Sequence, residues 1–112
     1  MASSEHYIDL RSDTITRPTP RMREAMAKCA VGDDVYKDDP TVNELQDKIA
    51  KLFGKEDSLF VPSGTMSNLI CLMVNVKLKG EGAIIGSISH VYSIERGGMS
   101  NVGGIHPLVI PN

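Results

Sequence analysis

Ser58-Leu59-Phe60-Val61-Pro62-Ser63-Gly64-Thr65-Met66 is an apolar run of strand length that stops at a proline and restarts as a helix. The first four residues read as a short buried strand, and the segment 66–77, apolar over most of its circumference, predicts a buried helix. A strand that feeds a Ser-Gly-Thr turn into a helix leaves backbone N–H groups unpaired at the positive end of the helix dipole and adds two hydroxyls. That combination suits a phosphate. Ser and Thr are also the usual helix caps, so spacing alone leaves capping and anion binding both open, capping being the commoner. The dipole contributes only about 0.3 to 1 kcal/mol at a surface, so hydroxyls and several amides must act together to hold an anion. Gly64 favours the anion, because a missing side chain lets a ligand approach the backbone.

Towards the C-terminus, Gly80-Glu81-Gly82 precedes Ala83-Ile84-Ile85, a second strand; 87–90 is a loop and 91–96 a short helix or turn, broken by Gly97-Gly98. Leu108-Val109-Ile110 reads as a third strand. Strand, helix, strand, helix, strand predicts an α/β fold with a mainly parallel sheet and right-handed crossovers. His90 falls just past the second strand, on the edge of a parallel sheet where ligands bind and where the Ser63-Gly64-Thr65 turn also emerges. The two can face one pocket, although a lone histidine is more often a surface or core residue. His6 and His106 have no such placement.

Towards the N-terminus, residues 7–14 form an extended arm closed by Arg17-Pro18-Thr19-Pro20, since the residue before a proline is disfavoured in helix. Thr19 caps a helix with Pro20 at its first position; Met22, Ala25, Met26 and Cys29 share one face, and Gly32 ends it. After the acidic loop 32–39 a second helix opens at Asp39 before Pro40, or at a Thr41-x-x-Glu44 capping box. Its core stripe is Val42, Leu45, Ile49, Leu52 and Phe53, and Gly54 is its C-cap. Ser12 and Arg11 can bind a carboxylate or simply hydrogen-bond along the arm. The aspartates of the acidic loop lack calcium-loop spacing, and Tyr36 among them can pack locally or meet a neighbouring subunit.

With 112 residues the chain is expected to be one domain, divided into an arm at 1–19, two helices at 20–54 and the start of an α/β region at 55–112. A formal charge of -2, with acids and bases interleaved, provides no basic stripe for nucleic acid and no polybasic arm for membranes, so the expected partner is a small molecule or another protein. Cys29 and Cys71 lie far apart inside helical patterns and indicate neither a disulfide framework nor a metal site. The start of the chain lacks an apolar core of signal-peptide length, which predicts a cytoplasmic protein.

Six stretches in register, Ile8-Asp9-Leu10-Arg11-Ser12-Asp13-Thr14, Arg17-Pro18-Thr19-Pro20, Gly32-Asp33-Asp34-Val35-Tyr36, Asp39-Pro40-Thr41-Val42-Asn43, Phe60-Val61-Pro62-Ser63-Gly64-Thr65-Met66 and Ser89-His90, together resemble the low-specificity L-threonine aldolases. The resemblance implies part of a fold type I pyridoxal-phosphate enzyme related to the β-eliminating lyases, which cleaves L-threonine or L-allo-threonine to glycine and acetaldehyde. It implies that Gly64 and Thr65 cradle the phosphate of pyridoxal 5'-phosphate, that His90 stacks on its pyridine ring, and that Ser12 helps hold the substrate carboxylate. It also implies a dimer or tetramer with active sites at subunit interfaces, Tyr36 standing near one. Ser67 replaces a common glycine and Arg96 a smaller residue, departures that bear on fine geometry. The family chain continues past Asn112, and none of the seven lysines here matches the one that bonds the cofactor's aldehyde. The expectation is therefore an N-terminal portion, inactive alone. A non-catalytic short form that associates with full-length subunits and a free-standing anion-binding domain are the alternatives.

Overall fold

The structure, a computed structural model, describes residues 8–112; Tyr7, the first residue of the predicted arm, and His6 lie outside them. The chain divides into two compact units with the boundary between Ser58 and Leu59.

In the first unit the predicted arm bends at Arg11, whose N–H reaches Asp9 Oδ1 at 3.1 Å, and Ser12 is in extended backbone. Asp13–Ile15 then close into a 3-10 turn, because the Ser12 hydroxyl accepts the Thr14 N–H at 3.2 Å and Asp13 O accepts the Thr16 N–H at 2.9 Å. A side-chain acceptor two residues away competes with extended backbone and wins here. Helix α1, Pro20–Lys28, starts as expected: Thr19 Oγ1 accepts the Met22 N–H at 3.2 Å and Pro20 takes the first position. It ends at Lys28, short of Gly32. Gly32 serves a different purpose, since a Cβ there would lie 2.2 Å from Asp38 O. This close approach lets the Gly32 N–H reach Asp39 Oδ2 at 3.0 Å.

Asp39 also opens helix α2, Pro40–Phe53, its Oδ1 accepting the N–H groups of Thr41 at 3.0 Å and Val42 at 2.9 Å. Of the two predicted caps, the aspartate is the one used. The Val42 and Gly32 N–H groups, with Thr41 adding to them, hold the Asp39 carboxyl below its ordinary range despite its burial. Gly54 ends the helix in the left-handed region at φ 62, as its position predicts. The expected core stripe forms a helix face but not a core: Leu45, Ile49, Leu52 and Phe53 are exposed, and Ala50 is the buried residue. Periodicity specifies which face is apolar, and only a partner element buries it.

In the second unit the predicted strand at 58–61 is absent. Leu59 and Phe60 are exposed, and residues 59–62 belong to neither strand of the sheet. Helix α3 spans Gly64–Asn75, beginning and ending two residues earlier than expected, with none of its residues fully buried. Strands β1, Gly82–Gly86, and β2, His106–Ile110, pair in parallel with Gly82 beside His106 and Gly86 beside Ile110. Between them lie helical turns α4, His90–Ser93, and α5, Gly98–Asn101. The fold is thus mixed α/β around a parallel pair, as the element order implied. Gly97, at φ 73, does not merely break a helix; it caps the next one. The core of this unit is Met99 of α5, which packs against α3 and β2, together with Ile105, 1% exposed at the entry to β2. Among the described residues no helix is long and apolar enough to cross a membrane.

Ile105 is the most deeply buried large side chain. Replacing it by alanine is expected to cost about 2 to 5 kcal/mol in urea denaturation, and by valine about 1 kcal/mol.

Candidate active site

Ser63 precedes α3 in extended backbone, φ -152, and its hydroxyl accepts the Met66 N–H at 3.2 Å. Capping is therefore real, but it satisfies only one of the first-turn donors. The Gly64 and Thr65 N–H groups have no acceptor among the described residues, and the turn is exposed. A Cβ on Gly64 would meet nothing within 4 Å, so its missing side chain leaves open space over the backbone.

Beyond β1 the ladder continues for one residue, the Ser87 N–H reaching Ile110 O at 2.8 Å, before the Ser89 N–H turns back to Gly86 O at 3.0 Å. His90 follows at once, so it lies at the C-terminal edge of the parallel pair. Its Nδ1 lies 2.9 Å from Glu95 Oε1, and the same oxygen accepts from Asn68 Nδ2 at 2.7 Å. Asn68 stands one helical turn after Thr65 on α3, and the Asn68, Glu95, His90 chain ties the predicted cradle to the predicted ring-stacking histidine. The two proposed site elements of this unit are brought to one region.

The Glu95 side chain is only 5% exposed while that of His90 is 62% exposed. Burial pushes the Glu95 carboxyl up, but the hydrogen bonds from Asn68 and His90 and the attraction of a protonated His90 outweigh it and hold the group below its ordinary range. Immediately afterwards Arg96 adopts the left-handed region at φ 55, rare for a residue with a Cβ. Ser89 Oγ, beside His90, is buried without a hydrogen-bond partner among the described residues.

Asn68 and Glu95 were not singled out by the sequence. Their one signal was the five-residue offset between His90 and an acid in a short turn, too common to mark a site. Ser12 and Tyr36 belong to the first unit. The Ser12 hydroxyl is engaged locally with Thr14 and Asp13, and Arg11 is paired with Asp9 in the arm. Tyr36 ends the 3-10 turn Asp34–Tyr36 and is exposed. Within the second unit, Lys79 packs beside Gly104, whose carbonyl accepts the Gly80 N–H at 2.8 Å, at the end of the strands opposite His90. His106 starts β2 at that same far end. Among the described residues no group of three or more His, Cys, Asp or Glu is placed to hold a metal ion.

The family model described as beta-eliminating lyase matches residues 9–112, and the chain belongs to that family. It is 51% identical over 105 residues to low-specificity L-threonine aldolase 1 of Arabidopsis thaliana, an alignment covering 94% of this chain and 29% of that protein. It is 53% identical over 100 residues to the low specificity L-threonine aldolase of Escherichia coli strain K12, covering 89% of this chain and 30% of the relative. The chain thus spans less than a third of the length of these relatives.

Because the folded-state value of Glu95 is depressed, its contribution to stability is complete above the ordinary glutamate value of 4.5 and is lost as pH falls through the lower folded value. Glu95→Gln, which keeps the shape but not the charge, is expected to lower stability by about 1 kcal/mol at neutral pH. Urea midpoints of the two proteins should converge as the pH is taken well below 4.5.

Proposed function

We propose that this chain supplies part of the cofactor site of a threonine-aldolase-like lyase, one that cleaves L-threonine or L-allo-threonine to glycine and acetaldehyde with pyridoxal 5'-phosphate. The observation that carries the reading is the hydrogen-bonded link from Asn68 through Glu95 to His90, which couples an unsatisfied helix N-terminus to an exposed imidazole. The relatives named above are threonine aldolases, which gives the link its chemistry.

The residues present fit such a cofactor. Gly64 and Thr65 offer two free N–H groups, Thr65 adds a hydroxyl, and position 64 has no Cβ to block a phosphate. The buried Ser89 hydroxyl beside His90 still lacks a partner among the described residues, which suits a polar ligand at this edge. When bound, the cofactor supplies an electron sink for breaking a bond at the amino-acid Cα. On this reading Gly64 and Thr65 fix the phosphate and thereby the position of the whole ring. His90 packs on the ring face and excludes water from it. Ser12 is assigned to the substrate carboxylate, releasing its local bond to Thr14 to do so.

None of the seven lysines of this sequence is assigned to bond the cofactor's aldehyde; in the second unit Lys79 packs beside Gly104, at the end of the strands opposite His90. We further assign the complete protein to a homo-oligomer with Tyr36 close to a subunit contact.

Titration of the 112-residue chain with pyridoxal 5'-phosphate, followed by calorimetry and absorbance, tests the proposal. Binding without the absorbance of a covalent lysine adduct, weakened about tenfold in Thr65→Val, is the expected result, equivalent to one hydrogen bond to a charged group. Affinity unchanged by that substitution removes the cradle. Release of acetaldehyde from L-threonine by the chain alone overturns the assignment of the lysine.

A further inference from the structure

One oxygen of Glu95 receives two donors from different elements, Asn68 Nδ2 on α3 and the imidazole Nδ1 of His90 at the start of α4. A carboxylate has no proton to give, so a ring nitrogen 2.9 Å from it must be the one that carries hydrogen. In the neutral imidazole the other ring nitrogen is then the unprotonated one, on a side chain that is largely exposed. We infer that Glu95 is a positioning residue that holds His90 in the Nδ1–H tautomer and fixes the plane of its ring relative to the first turns of α3.

Backbone geometry supports the assignment. The Ile94 N–H and the Glu95 N–H both bond to His90 O, at 2.9 and 3.2 Å, so the chain tightens about the histidine's own carbonyl. Arg96 and Gly97 then follow in the left-handed region, at φ 55 and φ 73, and turn the chain away directly after Glu95. This left-handed turn follows directly on Glu95, whose side chain is almost fully buried. Asn68 supplies the second restraint: without it the carboxylate and ring could rotate together. With it, the ring is referenced to the helix that begins at Gly64 and Thr65.

What the fixed ring meets rests on the cofactor reading above, whereas its tautomer does not. The experiment therefore uses the 112-residue chain without cofactor, labelled with 15N-histidine, with long-range proton–nitrogen correlations recorded above the titration range of imidazole and His90 assigned by its loss in His90→Gln. His90 is expected to show a protonated Nδ1 and an unprotonated Nε2. Glu95→Ala should return it to the Nε2–H form that predominates in free histidine. Glu95→Gln, which keeps an oxygen acceptor, should restore Nδ1–H, and Asn68→Ala should leave the tautomer as in the parent. An Nε2–H form in the parent protein, or Nδ1–H surviving in Glu95→Ala, overturns the inference. If Glu95→Ala does not fold, the parent spectrum decides by itself. Failure to bind pyridoxal 5'-phosphate would count against the proposed function and leave this result untouched.

Discussion

Two parallel strands cannot be joined by a tight turn, because the chain must travel back to the end from which it started. In the second unit that constraint shapes everything between Gly86 and His106. The returning segment carries His90 and Glu95 at the edge where β1 ends, then buries Met99 and Ile105 on its way to β2. The apolar core of Met99 and Ile105 and the hydrogen-bonded pair of His90 and Glu95 are two products of one crossover, and Asn68 joins the pair from α3. The same segment contains the left-handed Arg96, so the unusual backbone, the buried acid and the anchored imidazole occupy seven consecutive positions, 90–96.

The parts of the fold legible in the sequence are those decided by neighbours along the chain. Thr19 before Pro20, Asp39 before Pro40 and Gly54 after the second helix act through hydrogen bonds or backbone angles spanning a few residues, and each appears where expected. The two strands at β1 and β2 were legible as apolar runs bounded by turn residues. The run at 58–61 had the same appearance and is not a strand, because strand identity resides in a pairing partner that composition does not reveal. Gly32 illustrates a different failure: it looks like a helix stop, yet its role is to permit contact with Asp38 and Asp39, six and seven residues downstream.

For the site, position relative to the second strand and the following helix marked the 63–65 turn and His90 as candidates, and the resemblance to a family supplied the roles proposed for Gly64, Thr65 and His90. The residues that connect them were not marked, since Asn68 and Glu95 meet across 27 positions of sequence and each is unremarkable in its own neighbourhood. Family membership supplies what geometry alone leaves open. An exposed helix turn and an anchored imidazole are compatible with several anionic ligands, and the chain's place in the beta-eliminating lyase family is what the proposed choice among them rests on.

The hydrogen bonds of the two units differ in reach, and this separates them in time. In the first unit even the longer side-chain bonds, from Thr41 to Ala30 and from Ser58 to Gln46, close loops of 11 and 12 residues. Such contacts form early in a growing or refolding chain. Strand β1 has to wait for His106, 24 positions on, before any of its ladder can close. Throughout that interval its backbone donors and acceptors face solvent, with Ile84 and Ile85 beside them. The order of events during synthesis is therefore written into the pairing: the side-chain-capped helices α1 and α2 first, and the edge that carries His90 among the last features to acquire shape.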